Sequence, residues 1–240
     1  MTTDTLTVEA PFSGFPNTGH GGYTGGLLAE HLAGTVQVKF VNPPPLEVPL
    51  SLTRGEDTLT TSDGASVIAE ARKVDLDIEI PEAPTFEVAE ASAAANRDLR
   101  ARPSATCMTC GPERAPGEGL RLFVGPVDGR EIVAGAWIPH ANFADADGIL
   151  RTRFIWAALD CPTYWAVLSA NGDQGRLVTA RLAVRTIGPV PASEPVIVLA
   201  WPIAQRGRRL SVAGAAIVTP GGEALAVAEA TWINQKGSPS

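Results

Sequence analysis

Apolar residues along this chain change their spacing in a fixed order, and they do so twice. Leu27, Leu28 and Leu32 gather on one side of residues 22–33, GYTGGLLAEHLA, which predicts a helix with a single core-facing stripe. Alternation follows at once in Val36, Val38 and Phe40, the period of a half-buried strand. In the second round, Ile155, Trp156 and Leu159 form the stripe of residues 154–168, FIWAALDCPTYWAVL, where Pro162 is expected to bend or restart the helix. Leu182 and Val184 then alternate as a strand.

The two rounds share more than their periodicity. Residues 43–52, PPPLEVPLSL, and 189–198, PVPASEPVIV, carry three prolines in register, Pro43, Pro45 and Pro49 against Pro189, Pro191 and Pro195. Further on, VIAEA at 67–71 answers AVAEA at 226–230, each after a turn signal, Ser62-Asp63-Gly64 in one and Pro220-Gly221-Gly222 in the other. Each round thus predicts a helix, a strand, a proline-rich bend, a strand, a turn and a strand. A duplicated set of this kind is an α+β unit used twice. Residues 81–118 hold Pro, Ala, Arg and Glu with few large apolar side chains, and a short helix is predicted over 87–99. The division expected is an N-terminal unit at 1–92, a linker at 93–118 containing Cys107-x-x-Cys110, and a C-terminal unit at 119–240.

Composition narrows the partners. A hydrophobic share of 45% over 240 residues is enough for a sizeable core. Nineteen basic against 26 acidic residues give a net charge of -7, the wrong sign for a protein that binds nucleic acid phosphates. The amino end has no basic n-region, and no stretch approaches the roughly 18 apolar residues of a membrane span, so a soluble cytoplasmic protein with no membrane partner is expected. Three cysteines, Cys107, Cys110 and Cys161, are too few and odd in number for a disulfide scaffold, which fits a reducing compartment.

The most unusual local stretch is NTGHGGYTGGLL, residues 17–28. Five glycines beside a histidine suit a phosphate-cradling loop, a helix entrance that binds an anion, or a flexible turn. No Gly-Lys-Ser/Thr follows and no dinucleotide G-x-G-x-x-G is completed, which removes the phosphate loop.

His20-Gly21-Gly22 followed by Leu27-Leu28, with the Cys-x-x-Cys-Gly-Pro stretch inside residues 107–120, resembles the hot-dog superfamily in its fused, double hot-dog form. The histidine and glycines are similar to the helix entrance of the phenylacetyl-CoA and 4-hydroxybenzoyl-CoA thioesterase branch. The resemblance implies two curved antiparallel sheets, each wrapped on a long helix, and hydrolysis of an acyl thioester. It also implies that helix-opening amides bind the thioester carbonyl while a helix carboxylate of the other unit attacks it or activates water. Laying GGYTGGLLA on TRFIWAALD sets Gly21 on Thr152, Gly22 on Arg153 and Ala29 on Asp160. One copy keeps the glycines and lacks the acid; the other keeps Asp160 and lacks the glycines. The expectation is one composite site, with Asp160 as base or nucleophile, the Gly21 and Gly22 amides as oxyanion hole, and His20 assisting. The glycines would leave room for the substrate to approach the helix tip.

Other residues carry weaker expectations. Glu229 matches Glu70 in the repeat and either is a solvent-facing strand glutamate or, as the resemblance implies, falls where related double hot-dog acyl-CoA thioesterases have a glutamine that holds the nucleophilic water. Glu30, one residue past the vacant acid position, is either its replacement or an exposed helix glutamate. Arg151, Arg153 and the run Arg206, Arg208, Arg209 either grip coenzyme A phosphates or are solvated surface. No cofactor is expected beyond coenzyme A as part of the substrate, and a homo-oligomer is compatible with the resemblance. No metal is expected either: zinc would need two ligands besides Cys107 and Cys110, and no second Cys or His pair lies at metal spacing. Cys161 is a nucleophile or an inert buried thiol. Two rival functions stay open, a hydratase drawing on Asp145, Asp147 and His140, and a binding module that holds an acyl chain without turnover.

Overall fold

The computed structural model describes residues 4–96, 104–172, 176–207 and 209–235. Its first half sets helix α1 (Gly21–Ala29) before strands β2 (Val36–Phe40), β3 (Leu50–Arg54), β4 (Thr58–Ser62) and β5 (Val67–Lys73), with a short strand β1 (Thr5–Leu6) ahead of them. Helix α2 (Phe86–Asn96) and the two-residue strand β6 (Gly125–Pro126) lie between the halves. The second half repeats the order: β7 (Val133–Trp137), helix α3 (Thr152–Asn171), then β8 (Leu177–Thr186), β9 (Val196–Arg206), β10 (Leu210–Val218) and β11 (Ala224–Asn234). Even the 3₁₀ turn ahead of each long helix recurs, at Ala10–Phe12 and again at Ala141–Phe143.

The eleven strands among the described residues belong to one sheet, in the order β1-β3-β4-β5-β2-β8-β11-β10-β9-β7-β6. Reading outward from the antiparallel β2–β8 pair, each half presents its strands in mirrored sequence, and both Glu70 on β5 and Glu229 on β11 sit one strand away from that seam. Val36 pairs with Val184 and Val38 with Leu182 across it, so the alternating apolar residues of both copies meet at the centre of the molecule.

Each half has four main strands where the sequence predicted three. Residues 50–62 and 196–218 each fold into a hairpin, turning at Gly55 in one and beyond Arg206 in the other. The turn after β4 behaves as read: Asp63 Oδ1 accepts from the N–H groups of Ala65 (3.1 Å) and Ser66 (2.8 Å), and Gly64 takes φ +92°. The long helices also differ from expectation at their ends. α1 stops at Ala29, with Gly34 in the left-handed region just beyond. α3 runs unbroken through Pro162 to Asn171. At the proline step, Thr163 Oγ1 donates to Asp160 O (2.6 Å) and accepts from Trp232 Nε1 (2.8 Å). The predicted helix over 87–99 is α2, and its Leu99 lies outside the described residues.

The sheet buries both faces in the second half. Toward the helices, Ala226, Ala228, Ala230 and Trp232 of β11 join Leu28, Trp156, Leu159 and Tyr164 in the main core. The other face, with Val227 and Ala183, is covered by residues that follow β5, among them Leu76 and Ala89. Thus α2, placed by sequence at the junction of the first unit and the linker, rests on strands of the second half. The rest of the linker is no free connector either: Cys107, Met108, Thr109 and Cys110 are all buried. No helix among the described residues is long and apolar enough to cross a membrane.

Candidate active site

Helices α1 and α3 pack more closely than side chains ordinarily permit, and glycine is the reason. A Cβ on Gly22 would stand 2.6 Å from Trp156 O and 2.9 Å from Ala157 Cα; one on Gly26 would stand 2.4 Å from Arg153 Cα. Gly25 similarly admits the Trp156 ring. Gly22, which sequence reading assigned with Gly21 to substrate approach, is therefore a packing surface for α3, together with Gly25 and Gly26. Gly21 is the exception: it borders the pocket, and a Cβ there would meet the Asp160 carboxylate at 3.2 Å.

This contact carries Asp160 to the start of α1. Its Oδ2 accepts from Gly22 N–H (2.7 Å), and its Oδ1 accepts from the Thr179 hydroxyl on β8 (2.9 Å). His20 caps α1, its Nδ1 accepting from Tyr23 N–H (3.3 Å), and the same nitrogen lies 3.7 Å from Asp160 Oδ2. Asp160 is only 3% exposed and His20 only 2%. Burial raises the Asp160 carboxyl above the usual carboxylate range, while the His20 charge, the Gly22 amide and the Thr179 hydroxyl pull the other way. The amide end of α1 supplies the partial positive charge that a buried anion needs.

Behind His20 lie the three thiols. Its Nε2 is 3.2 Å from Cys161 Sγ and 3.2 Å from Thr109 Oγ1, and the Thr109 hydroxyl donates to Ala157 O (3.1 Å). Cys107 Sγ and Cys161 Sγ are 3.8 Å apart. Hydrogen bonds from Cys110 and Cys161 hold the Cys107 thiol well below its ordinary range, and the same sulfur contacts push Cys161 well above it. Burial works against a charged His20, but the negative Cys107 and Asp160 outweigh it and raise the imidazole. The two partners that spacing alone did not supply to Cys107 and Cys110 thus come from α1 and α3.

A pocket opens over this cluster, bordered by Phe15, Gly21, Asp160, Tyr164, Thr179 and Trp232. Its free volume, about 50 Å³, is that of one or two waters. At its rim the guanidinium of the exposed Arg176 sits 5.2 Å over the Phe15 ring.

Several predicted residues lie elsewhere. Glu229 alternates with Ala228 and Ala230 and shares the face of Val227, so it points away from the helices and cannot reach the pocket. Arg153 is taken by Glu30: its Nε donates to Oε1 (2.8 Å), its Nη2 to Oε2 (2.5 Å), and its backbone N–H also reaches Oε1 (3.3 Å). That arrangement mirrors Gly22 and Asp160, an amide at one helix start facing a carboxylate of the other helix. Here the guanidinium fills the space. Glu30 is thus an exposed helix glutamate paired with Arg153 at the vacant position, and Arg153 is not free for phosphates. Arg151 is exposed at the cap of α3 and borders no part of the pocket. Arg206 and Arg209 flank the β9–β10 hairpin, and Arg208 lies outside the described residues. The hydratase set stays apart as well: His140 accepts from Asn142 N–H, and Asp145 Oδ1 from the N–H groups of Asp147 and Ile149, all on exposed turns.

Thr179, Thr109 and Arg176 were missed in the sequence. Thr179 is one polar residue in an alternating strand, and only the register of β8 against α3 marks it.

Known proteins match this structure at full length. A tesB protein of Mycobacterium avium subsp. paratuberculosis is similar at TM-score 0.60 and 15% identity, over 95% of this chain and 90% of that one. The acyl-CoA thioesterase II TesB2 of Mycobacterium marinum matches at TM-score 0.58 and 13% identity, over 98% and 97%. A conserved protein of unknown function with a hot-dog fold from Alicyclobacillus acidocaldarius matches at TM-score 0.60 and 11% identity, over 98% and 93%. No protein-family model matches the sequence, and no curated protein matches it. The chain therefore has the hot-dog, thioesterase-like fold.

Proposed function

We propose that the protein is a double hot-dog hydrolase that cleaves an acyl-CoA or related acyl thioester at a single site, the Asp160 pocket. The observation that carries this reading is the buried Asp160 carboxylate at the amide end of α1, held by Gly22 N–H and Thr179 O–H beside a cavity of water size. Both carboxylate oxygens already accept a hydrogen bond, which lowers their own nucleophilicity and favours general-base action on a water held in the cavity. Gly21, first residue of α1, has an N–H with no intrahelical acceptor and borders the same cavity, so it takes the oxyanion role. Gly22 serves Asp160 instead. Attack of the water on the carbonyl passes its proton to Asp160, and collapse of the tetrahedral adduct expels the thiolate. Arg176 at the rim is the cation placed to meet coenzyme A phosphates.

The paralogous position, closed by Glu30 and Arg153, is why one site operates rather than two. A cytoplasmic location and self-association through the sheet belong to this reading as expectations from the fold. A panel of acyl-CoAs of graded chain length, with aryl-CoAs included, followed by thiol release, tests it. Asp160→Asn keeps the side-chain shape and should lower kcat by about 10²- to 10⁴-fold, the worth of a general base. Turnover equal to wild type in a folded Asp160→Asn protein would sink the assignment.

A further inference from the structure

The four side chains His20, Cys107, Cys110 and Cys161 are not needed for hydrolysis as described above, yet they converge from three separate parts of the chain. His20 caps α1, Cys107 and Cys110 sit in the docked linker, and Cys161 follows Asp160 on α3. The ligand atoms of His20, Cys107 and Cys161 lie within 4.8 Å of one another, and the buried Cys110, three residues from Cys107, is the neighbouring thiol that would move in to complete the set.

We infer that these residues form a Cys₃His site for a zinc ion, which ties the linker to both long helices. Spacing is the first support. Zn–S bonds of about 2.3 Å and a Zn–N bond of about 2.0 Å at tetrahedral angles require sulfurs about 3.8 Å apart and nitrogen about 3.5 Å from sulfur. The observed separations are 3.8 Å for Cys107–Cys161 and 3.2 Å for His20–Cys161. A disulfide needs sulfurs at about 2.05 Å, so the Cys107–Cys161 pair is not bonded.

The local backbone is the second support. Gly111 follows Cys110 where a Cβ would stand 2.5 Å from Cys107 O and 2.6 Å from both Cys107 N and Ala105 O, and its N–H donates to Cys107 O (2.9 Å). The chain is thus folded into a tight turn that keeps Cys110 close to Cys107. Around that point the linker is pinned at both sides, with Met108 N–H donating to Ser13 O (2.9 Å) and Leu122 N–H to Thr109 O (2.9 Å).

Orientation of the histidine is the third. Nε2 is the ring nitrogen that faces the sulfurs; coordination through it would move the ring proton to Nδ1, exchanging the contact with Tyr23 N–H (3.3 Å) for one with Asp160 Oδ2, which stands 3.7 Å away. A metal-bound histidine usually donates its second N–H to a carboxylate, and Asp160 is the carboxylate in place. With protein filling all four positions, the ion is structural and leaves no open coordination site for substrate. The inference is independent of the thioester reading, because metal content and thiol release are measured separately.

The test uses the full chain, freed of any histidine tag and purified without chelators under reducing conditions. Elemental analysis should return one zinc per chain, and titrating the three thiols with a mercurial should release that zinc in step, as followed with a chromogenic chelator. Exchange of wild type into cobalt(II) should produce a thiolate-to-cobalt charge-transfer band. Cys110→Ser and Cys161→Ala should each lose the ion; should either fail to fold, the wild-type zinc and cobalt measurements decide alone. Fewer than about one metal ion per ten chains with all three thiols reduced, iron in place of zinc, or an intact Cys107–Cys110 disulfide would overturn the proposal.

Discussion

Gly22→Ala tests how the molecule positions Asp160. The added Cβ would meet Trp156 O at 2.6 Å, Asp160 Cβ at 2.7 Å and Ala157 Cα at 2.9 Å. Two of these are backbone atoms, which no rotamer change can move, so α1 and α3 must separate by most of an ångström. Overpacking of this kind costs about 1–3 kcal/mol, and the backbone nature of the contacts puts the cost near about 3. Alanine returns about 1 kcal/mol through its better helix propensity. A net loss of about 2 kcal/mol remains, which at a urea m-value near about 3 kcal/mol/M moves the midpoint down by about 0.7 M. The separation also lengthens the 2.7 Å bond from Gly22 N–H to Asp160 Oδ2, so kcat should fall with the stability. Gly21→Ala is the comparison: its Cβ would meet the end of a side chain, Asp160 Oδ2, at 3.2 Å, and should disturb turnover with little change in midpoint. A Gly22→Ala protein with an unchanged or raised urea midpoint would refute the claim that glycine sets the helix separation.

Other outcomes follow from the same geometry. Thr163→Val keeps the shape of a fully buried side chain and strands the Trp232 N–H, so it should cost about 1–3 kcal/mol, read as a fall of several degrees in Tm. Arg153→Met, which breaks the partly exposed pair with Glu30, should cost about 1 kcal/mol or less and leave KM for acyl-CoAs unchanged. Arg176→Glu should raise KM for acyl-CoAs while sparing kcat and the hydrolysis of a short thioester lacking the nucleotide; a KM that moves with Arg153 and not with Arg176 would reverse the assignment of the phosphate contact.

The duplicated order of elements was legible because it rests on local signals: the period of Leu27, Leu28 and Leu32, the matched prolines, and the turn residues Asp63 and Gly64. Missed elements had weak local signals. The hairpin at Gly55 lacks an alternating run long enough to divide, and α2 is rich in alanine and could not disclose which half it covers. Asp160 was legible as an acid flanked by apolar residues on a helix, and its facing of the glycine amides was an expectation that came with the resemblance to the thioesterase branch. Glu229 was misassigned because repeat matching fixes a position along a strand but not which face of the sheet it serves. The thiol cluster was beyond a spacing rule, since His20 and Cys161 lie 141 positions apart and meet only through the α1–α3 contact.

The β2–β8 seam has a consequence for any attempt to divide the protein. Produced as separate fragments, the two halves would each be left with a bare edge, unpaired N–H and C=O groups along residues 36–39 in one and 181–184 in the other. Such edges invite indiscriminate pairing, and the complement that fits in register is the other fragment. Cut between them, the chain should behave as a split protein, with each piece prone to aggregate alone and activity returning on mixing.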